Sequence, residues 1–553
     1  MMNIVDLIFE RHHGPEMAVI SPQESDTGLQ PVQSGRPPQA AILSYAGLQA
    51  RMLETAHALQ SDAHWPRDIP RPRIGLHAPS GPDYIVLALA ILKAGACFVP
   101  IPSELTASEQ QELIERTSLH AVLRAKNADD WQLEAFGHSS LPQRGKGAEA
   151  AEHLNSKQMD GGTRSDFPQI QGSQQIISET NLRASLNLRE TLSGYSAVVQ
   201  ETSESKSSTP SAPLPLCGPS EVPQAFDALN AAFIRFSSGT TARSKGVVIS
   251  HETLLARITA ANEALRIGTE DRVLWVLPMA HHFAVSIILY LYHGATTILA
   301  PASDPAVMLR LMREHAATVM YGSPYHYTLL ASQPEAAAMK SLRLAVSTAF
   351  ALNQEVADLF HAKTGLHLTQ GMGIIEAGLP LLNLEHAATH PTSVGKPTPS
   401  FEVKLDDGEL LLRGPGLFDA YLSPWQPREA VLRDGWFPTG DIAEIDETTG
   451  SIFLRGRVRS VINVGGMKCF PEEVEAVLTS HPSVKAARVL ARPHAALGFV
   501  PVAEVIAENG AETSLTGELK RLCQQRLSAY KVPLLITFVA ELPLTASGKL
   551  RRY

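Results

Sequence analysis

The segment Ala232-Phe-Ile-Arg-Phe236-Ser-Ser-Gly239-Thr-Thr-Ala-Arg-Ser-Lys245-Gly-Val-Val248 decides the fold. It opens as an apolar strand, passes through a loop of hydroxyls and glycine, and leaves by a lysine into a second apolar strand. Small residues let backbone amides close around an anion, and Lys245 adds positive charge. The segment therefore reads as a polyphosphate cradle mounted on a strand end. The spacing Gly-x-x-x-x-Gly-Lys-Ser/Thr is absent, so it is not a Walker loop. A Ser/Thr/Gly-rich stretch alone also serves as an ordinary surface loop; the strand-loop-Lys-Gly-strand order favours the cradle.

Working outward, Ser44 is an N-cap for a helix starting near Tyr45, with Leu48, Met52 and Ala56 on one face. Arg73-Ile-Gly-Leu-His-Ala reads as a strand, Asp83 to Lys93 as a helix, and Ala96-Cys-Phe-Val-Pro-Ile as a strand. Strand-helix-strand order predicts a mainly parallel α/β sheet. The alternation resumes at Ala231 and runs to about Pro399. From Phe401 the chain turns β-rich, with strands before and after an Asp406-Asp-Gly turn. After Gly456 follows an α+β module of roughly a hundred residues, whose helix at Pro471 begins with proline and acids in its first turn. The expected fold class is α/β. A large N-terminal domain, residues 1–455, combines mainly parallel sheets with a β-rich subdomain, and a small mobile α+β domain spans 456–553. Residues 127–230 are variable and rich in Ser, Gln, Gly and Pro. There Ser203 to Pro215 resembles a linker, and a helix is expected around Glu179 to Leu192.

Composition narrows the function classes. Of 553 residues, 44% are hydrophobic and 19% charged, as in soluble globular proteins. The net charge of -9 argues against nucleic acid as a partner. Four scattered cysteines form no Cys-x-x-Cys pair, which fits a reducing cytoplasm and excludes a disulfide framework. Met1 to Met17 lacks the long apolar core of a signal peptide. Tyr84 to Ile101 and His282 to Ala300 are apolar but interrupted, so each is expected to be a buried helix followed by a strand rather than a membrane span.

Further segments follow the cradle in order: Leu277-Pro-Met-Ala-His-His-Phe, Leu368-Thr-Gln-Gly-Met-Gly-Ile-Ile-Glu, Gly435-Trp-Phe-Pro-Thr-Gly-Asp, Gly456-Arg-Val-Arg-Ser-Val-Ile-Asn-Val-Gly-Gly, and Leu542-Pro-Leu-Thr-Ala-Ser-Gly-Lys-Leu-Arg-Arg. Together, from Ser44-Tyr-Ala-Gly-Leu onward, they resemble the adenylate-forming superfamily: acyl-CoA synthetases, luciferases and peptide-synthetase adenylation domains. The resemblance implies activation of a carboxylic acid by ATP as acyl-AMP, with pyrophosphate released, then transfer to a thiol. That thiol is CoA or the phosphopantetheine of an acyl carrier protein.

The resemblance also implies roles. Ser237, Ser238, Gly239, Thr240, Thr241 and Lys245 would hold the β- and γ-phosphates, and Glu376 would help bind Mg²⁺. Met372 would cover adenine, Asp441 would accept hydrogen bonds from the ribose hydroxyls, and Arg457 would reach the nucleotide. His281 matches the position bordering the acyl site. Lys549 would bridge substrate carboxylate and α-phosphate. Arg459 falls at the hinge between two conformations, and Gly465 and Gly466 beside the thiol tunnel. Tyr321, Ser347, Gly371 and Gly373 would line the acyl pocket.

Departures from the family pattern concentrate at the nucleotide. The loop has Ala242 where glycine is usual and Ser244 where proline is frequent. Met372 replaces an adenine-stacking tyrosine, and Ile375 replaces a threonine that contacts phosphate and metal. A thioether still gives a ring contact worth about 0.3–1.5 kcal/mol; loss of a hydrogen bond to a charged group costs about 1.5–3 kcal/mol. No acid lies in Val273-Leu-Trp-Val-Leu-Pro-Met-Ala to pair with a substrate ammonium, so a fatty or aromatic acid is expected rather than an amino acid. The alternative is a catalytically impaired homologue that binds a nucleotide, an acyl ligand or a protein partner.

Overall fold

The computed structural model describes residues 1–22, 41–103, 105, 107–136, 224–236, 245–301, 304–334, 339–464, 467–494, 497–508, 512–543 and 550. The Ser44 hydroxyl accepts the Gly47 N–H and starts the helix Tyr45–Ser61, which buries Leu48, Met52 and Ala56. The strands Arg73–His77 and Cys97–Pro100 flank the helix Pro82–Lys93, as their periodicity requires. Every residue from Tyr84 to Leu92 in that helix is buried, so it is apolar all round. Among the described residues no helix is long and apolar enough to cross a membrane.

Two large sheets carry the chain. In the nine-stranded sheet, Thr369–Ile374, Leu344–Ser347, Val319–Gly322, Arg272–Trp275, Thr296–Leu299 and Met17–Ser21 run parallel in that order. In the eight-stranded sheet, Ala231–Phe236, Cys97–Pro100, Arg73–His77 and Ala121–Ala125 are parallel neighbours. Gly246–Ser250 lies antiparallel beside Ala231–Phe236. Parallel strands put their carboxyl ends, and the loops leaving them, on one side, where a site can form.

The β-rich segment is a four-stranded antiparallel sheet ordered Glu402–Asp406, Glu409–Arg413, Phe437–Ile445, Ile452–Arg457. Its first hairpin turns through Asp407 and Gly408, both with positive φ (46° and 81°), the conformation a two-residue hairpin turn favours. Toward the C-terminus a further sheet, built mainly on Val484–His494 and Gly498–Ala507, packs with the helices Pro471–Thr479 and Glu512–Arg526. Its core, from Ile462 to Ile536, is a hydrophobic cluster distinct from that under the large sheets.

The expected helix near Glu179 and the linker at Ser203 to Pro215 lie outside the described residues.

Candidate active site

Strands Ala231–Phe236 and Gly246–Ser250 pair up to Phe236 and Gly246, so both ends of the cradle segment are fixed at one edge of the ladder. Ser237, Ser238, Gly239, Thr240 and Thr241 lie outside the described residues. Lys245, at the cradle's exit, is placed. Its Nζ sits 4.1 Å from the centre of the Tyr421 ring and 3.3 Å from Gln426 Oε1. The Tyr421 hydroxyl in turn donates to Glu376 Oε1 at 3.2 Å. A lysine, a phenol and a carboxylate thus form one continuous group across three segments of chain.

Glu376 occupies the turn between Thr369–Ile374 and Gly378–Leu382. Its backbone is held by Arg257, a side chain the sequence reading did not single out. Arg257 is 1% exposed; it donates to the carbonyls of Ile375 (2.8 Å), Glu376 (3.0 Å) and Gly416 (2.7 and 3.0 Å). Glycine is required beside it, because a Cβ at Gly378 would lie 2.6 Å from Arg257 Cγ, and one at Gly416 2.6 Å from its Cα. Both glycines also have positive φ. Burial pushes the Arg257 guanidinium down to about 10, with Asp419 and Glu376 opposing that shift, so it stays a cation at neutral pH.

His281 and His282 end the short helix Met279–His282, which changes into the π-helical turn Phe283–Ile287. Such register changes recur at functional sites. The Arg235 guanidinium, at the end of the cradle's leading strand, donates to the His281 carbonyl, and its Nη2 lies 3.5 Å from His281 Nδ1. Burial pushes Arg235 down to about 10, again opposed by Glu376.

The acyl-pocket candidates divide by strand register. Tyr321 stacks on Trp275 at 5.9 Å between ring centres, and Trp275 meets His282 edge-on at 5.6 Å. Burial pushes the Tyr321 hydroxyl up to about 12, and Thr348 hydrogen-bonds it, so it stays a neutral polar group. Ser347 is fully buried, paired with Gly322 and Gln370, and follows Val346, the residue paired with Tyr321. Adjacent strand residues point to opposite faces, which separates Ser347 from the aromatic shelf. Gly371 is buried and Gly373 exposed, with Met372 between them 5% exposed.

Asp441 and Arg457 form a second group on the four-stranded sheet. They are paired across the ladder, with Arg457 Nε 2.6 Å from Asp441 Oδ1. The strand residues just before it are locked: the Asp441 N–H donates to Thr439 Oγ1, whose hydroxyl donates to the Leu410 carbonyl. The Arg459 side chain, Gly465, Gly466 and Lys549 lie outside the described residues.

Tyr421, Arg257 and Arg235 were missed because nothing local marks them. Two of Arg257's acceptors lie 118 and 119 residues away in sequence, and Tyr421 is 45 residues from Glu376.

Lys245, Tyr421 and Glu376 thus come together in a chain of two large α/β sheets followed by a small α+β core with its own hydrophobic cluster. Residues 37–422 match the family model described as AMP-binding enzyme, and residues 473–549 match the AMP-binding enzyme C-terminal domain. The chain belongs to this family, the adenylate-forming enzymes of acyl-CoA synthetase type. It is 31% identical over 341 residues to a long-chain-fatty-acid–CoA ligase of Bacillus subtilis (strain 168), covering 58% of this chain and 60% of that protein. A feruloyl-CoA synthase of an Amycolatopsis species is 30% identical over 349 residues, covering 60% and 70%. The fold is shared with o-succinylbenzoate CoA synthetase (MenE) from Bacillus subtilis, solved with its acyl-adenylate intermediate OSB-AMP: TM-score 0.71, 21% identity, 100% of this chain and 97% of that one.

Proposed function

We propose that this enzyme joins a fatty or aromatic carboxylic acid to CoA through an acyl-adenylate. In the first step a carboxylate oxygen attacks the α-phosphorus of ATP. The bond to the bridging oxygen breaks, and pyrophosphate leaves. In the second a thiolate sulfur attacks the acyl carbonyl carbon, and AMP leaves with the electron pair of the C–O bond. The observation that carries this reading is the Lys245–Tyr421–Glu376 group, which sets a lysine cation and a carboxylate on one phenol.

The donor set fits Mg²⁺, which takes one or two protein carboxylates and completes its shell with phosphate oxygens and water. Glu376, hydrogen-bonded to the Tyr421 hydroxyl, would be the protein's contribution. Bound there, the ion would neutralise polyphosphate charge. Met372 would cover adenine, Asp441 would hold the ribose with Arg457 beside it, and Lys549 would bring positive charge to the carboxylate and α-phosphate. Positioning supplies the remaining acceleration.

The aromatic shelf of Trp275 and Tyr321 and the relatives' names support an aryl or alkyl acid. Division near residue 456, movement at Arg459 and thiol entry past Gly465 and Gly466 belong to the same proposal. So does a cytoplasmic location, supported by the buried free thiols of Cys97, Cys469 and Cys523.

The test is carboxylate-dependent ATP–pyrophosphate exchange over a panel of fatty and aromatic acids, followed by thioester formation with CoA or with a phosphopantetheinylated carrier protein. Exchange with at least one acid and transfer to CoA are expected. Nucleotide binding without exchange for any acid would move the protein to the binding-homologue reading that Met372 and Ile375 support. Lys549→Ala is expected to abolish exchange yet retain thioester formation from supplied acyl-adenylate. Retained exchange in that variant would remove Lys549 from the first step.

A further inference from the structure

Arg235 is the last but one residue of the strand that enters the phosphate cradle, and its side chain crosses to another element. One guanidinium nitrogen donates to the backbone carbonyl of His281 and the other lies 3.5 Å from His281 Nδ1, the outer limit of a hydrogen bond. The short helix carrying His281 changes to π register within two residues, where carbonyls need partners outside the regular helical ladder. Arg235 supplies one. Its own Nε is enclosed and has no hydrogen-bond partner among the described residues.

The chemistry of the pair is directional. A guanidinium has only donors, so the imidazole nitrogen facing it must present a lone pair. In a neutral ring the proton then sits on Nε2. We propose that Arg235 is the positioning residue of His281, fixing the ring in its Nε2–H tautomer and anchoring its backbone to the strand that leads into the phosphate cradle. This rests on the adenylation reading above, and it assigns a specificity role to acid binding rather than to phosphate binding. The histidine bordering the acyl site is thereby held as a donor of fixed direction, and it moves with the cradle strand.

The test uses the full chain labelled with ¹⁵N-histidine. Two-bond ¹H–¹⁵N spectra report each ring's tautomer, and the His281 signals are those missing from His281→Asn. Wild type is expected to show the Nε2–H pattern at His281, and Arg235→Gln a mixture of tautomers. In the exchange assay Arg235→Gln should lower kcat/KM for the acid roughly ten- to hundredfold, the effect of a misplaced group, with KM for ATP nearly unchanged. Arg235→Lys keeps the charge but not the fork, and should fall between in both readouts.

An unchanged His281 tautomer in Arg235→Gln overturns the proposal, as does a rise in KM for ATP with KM for the acid unchanged. If Arg235→Gln does not fold, Arg235→Lys decides: a wild-type tautomer with wild-type kinetics overturns the proposal equally. Should wild type exchange no acid at all, the adenylation reading falls, while the tautomer spectra still decide what Arg235 does.

Discussion

Ile375 sits in the turn that also carries Glu376, its side chain partly buried against the main core and its carbonyl held by Arg257. It thus occupies a fixed backbone beside a carboxylate, with a methyl-bearing side chain where family members place a hydroxyl. Ile375→Thr keeps the β-branch, exchanges a methylene for a hydroxyl that can donate, and removes the terminal methyl. A hydrogen bond to a charged group contributes about 1.5–3 kcal/mol, so kcat/KM for ATP should rise roughly tenfold or more. The partly buried methyl lost should cost about 1 kcal/mol of stability or less. Steady-state kinetics at varied ATP check the first and a thermal melt the second. A variant no better with ATP would show that this side chain does not face the phosphates.

The turn behaves as it does because of the helix His251–Leu265 behind it, where Arg257 spans Ile375, Glu376 and Gly416. Arg257→Met fills similar space but strands the carbonyls of Ile375 and Gly416, while that of Glu376 keeps the Phe418 N–H at 2.7 Å. Unpaired buried groups each cost about 1–3 kcal/mol, so a total loss of about 2 kcal/mol or more is expected, seen as a lower melting midpoint. Exchange measured well below that midpoint should also fall, because Glu376 loses its anchor; an unaltered melt would contradict the assignment. Here the limit of sequence reading is plain. Ser44 as cap, the strands at Arg73–His77 and Cys97–Pro100, and the turn at Asp407-Gly408 were legible because local periodicity and turn chemistry specify them. Lys245 and Glu376 were legible because ordered motifs carry them. Arg257 was not: in His-Glu-Thr-Leu-Leu-Ala-Arg it reads as a solvated helix charge, and only turns more than a hundred residues away reveal three acceptors. Tyr421 and Arg235 escaped for the same reason, their partners being set by tertiary packing.

Across the whole molecule, the N-terminal helix Ile4–Arg11 is fastened in part by a histidine that must stay neutral. His251 Nδ1 accepts the Ile4 N–H at 3.2 Å, Asn3 donates to the Leu92 carbonyl, and Arg11 lies 4.3 Å over the Tyr292 ring. Burial pushes His251 down to about 4, helped by Arg71 and opposed by Glu252 and Asp6. Burial also pushes His293 down to about 4, helped by Arg11 and His12. Both lie below the ordinary histidine value near 6.5. The sign follows from proton counting: below about pH 6.5 the unfolded chain takes up protons that the folded chain refuses, so folding weakens as pH falls. The contribution is fully present above pH 6.5, erodes between about 6.5 and 4, and stops changing below 4. Asp271 acts in a different window. Burial raises its carboxyl, but hydrogen bonds from Arg343, Thr318 and the Gly268 N–H outweigh that and hold it below the usual range, so its contribution is lost only at more acid pH. Melting midpoints should therefore decline from pH 7 to pH 4.5 through these histidines together with His77, His315, His326 and His367, which burial also pushes down. His251→Asn keeps an acceptor for Ile4 and removes one titrating ring, so its decline should be shallower. Equal slopes in the two proteins would mean that the N-terminal helix is not the element that acid loosens.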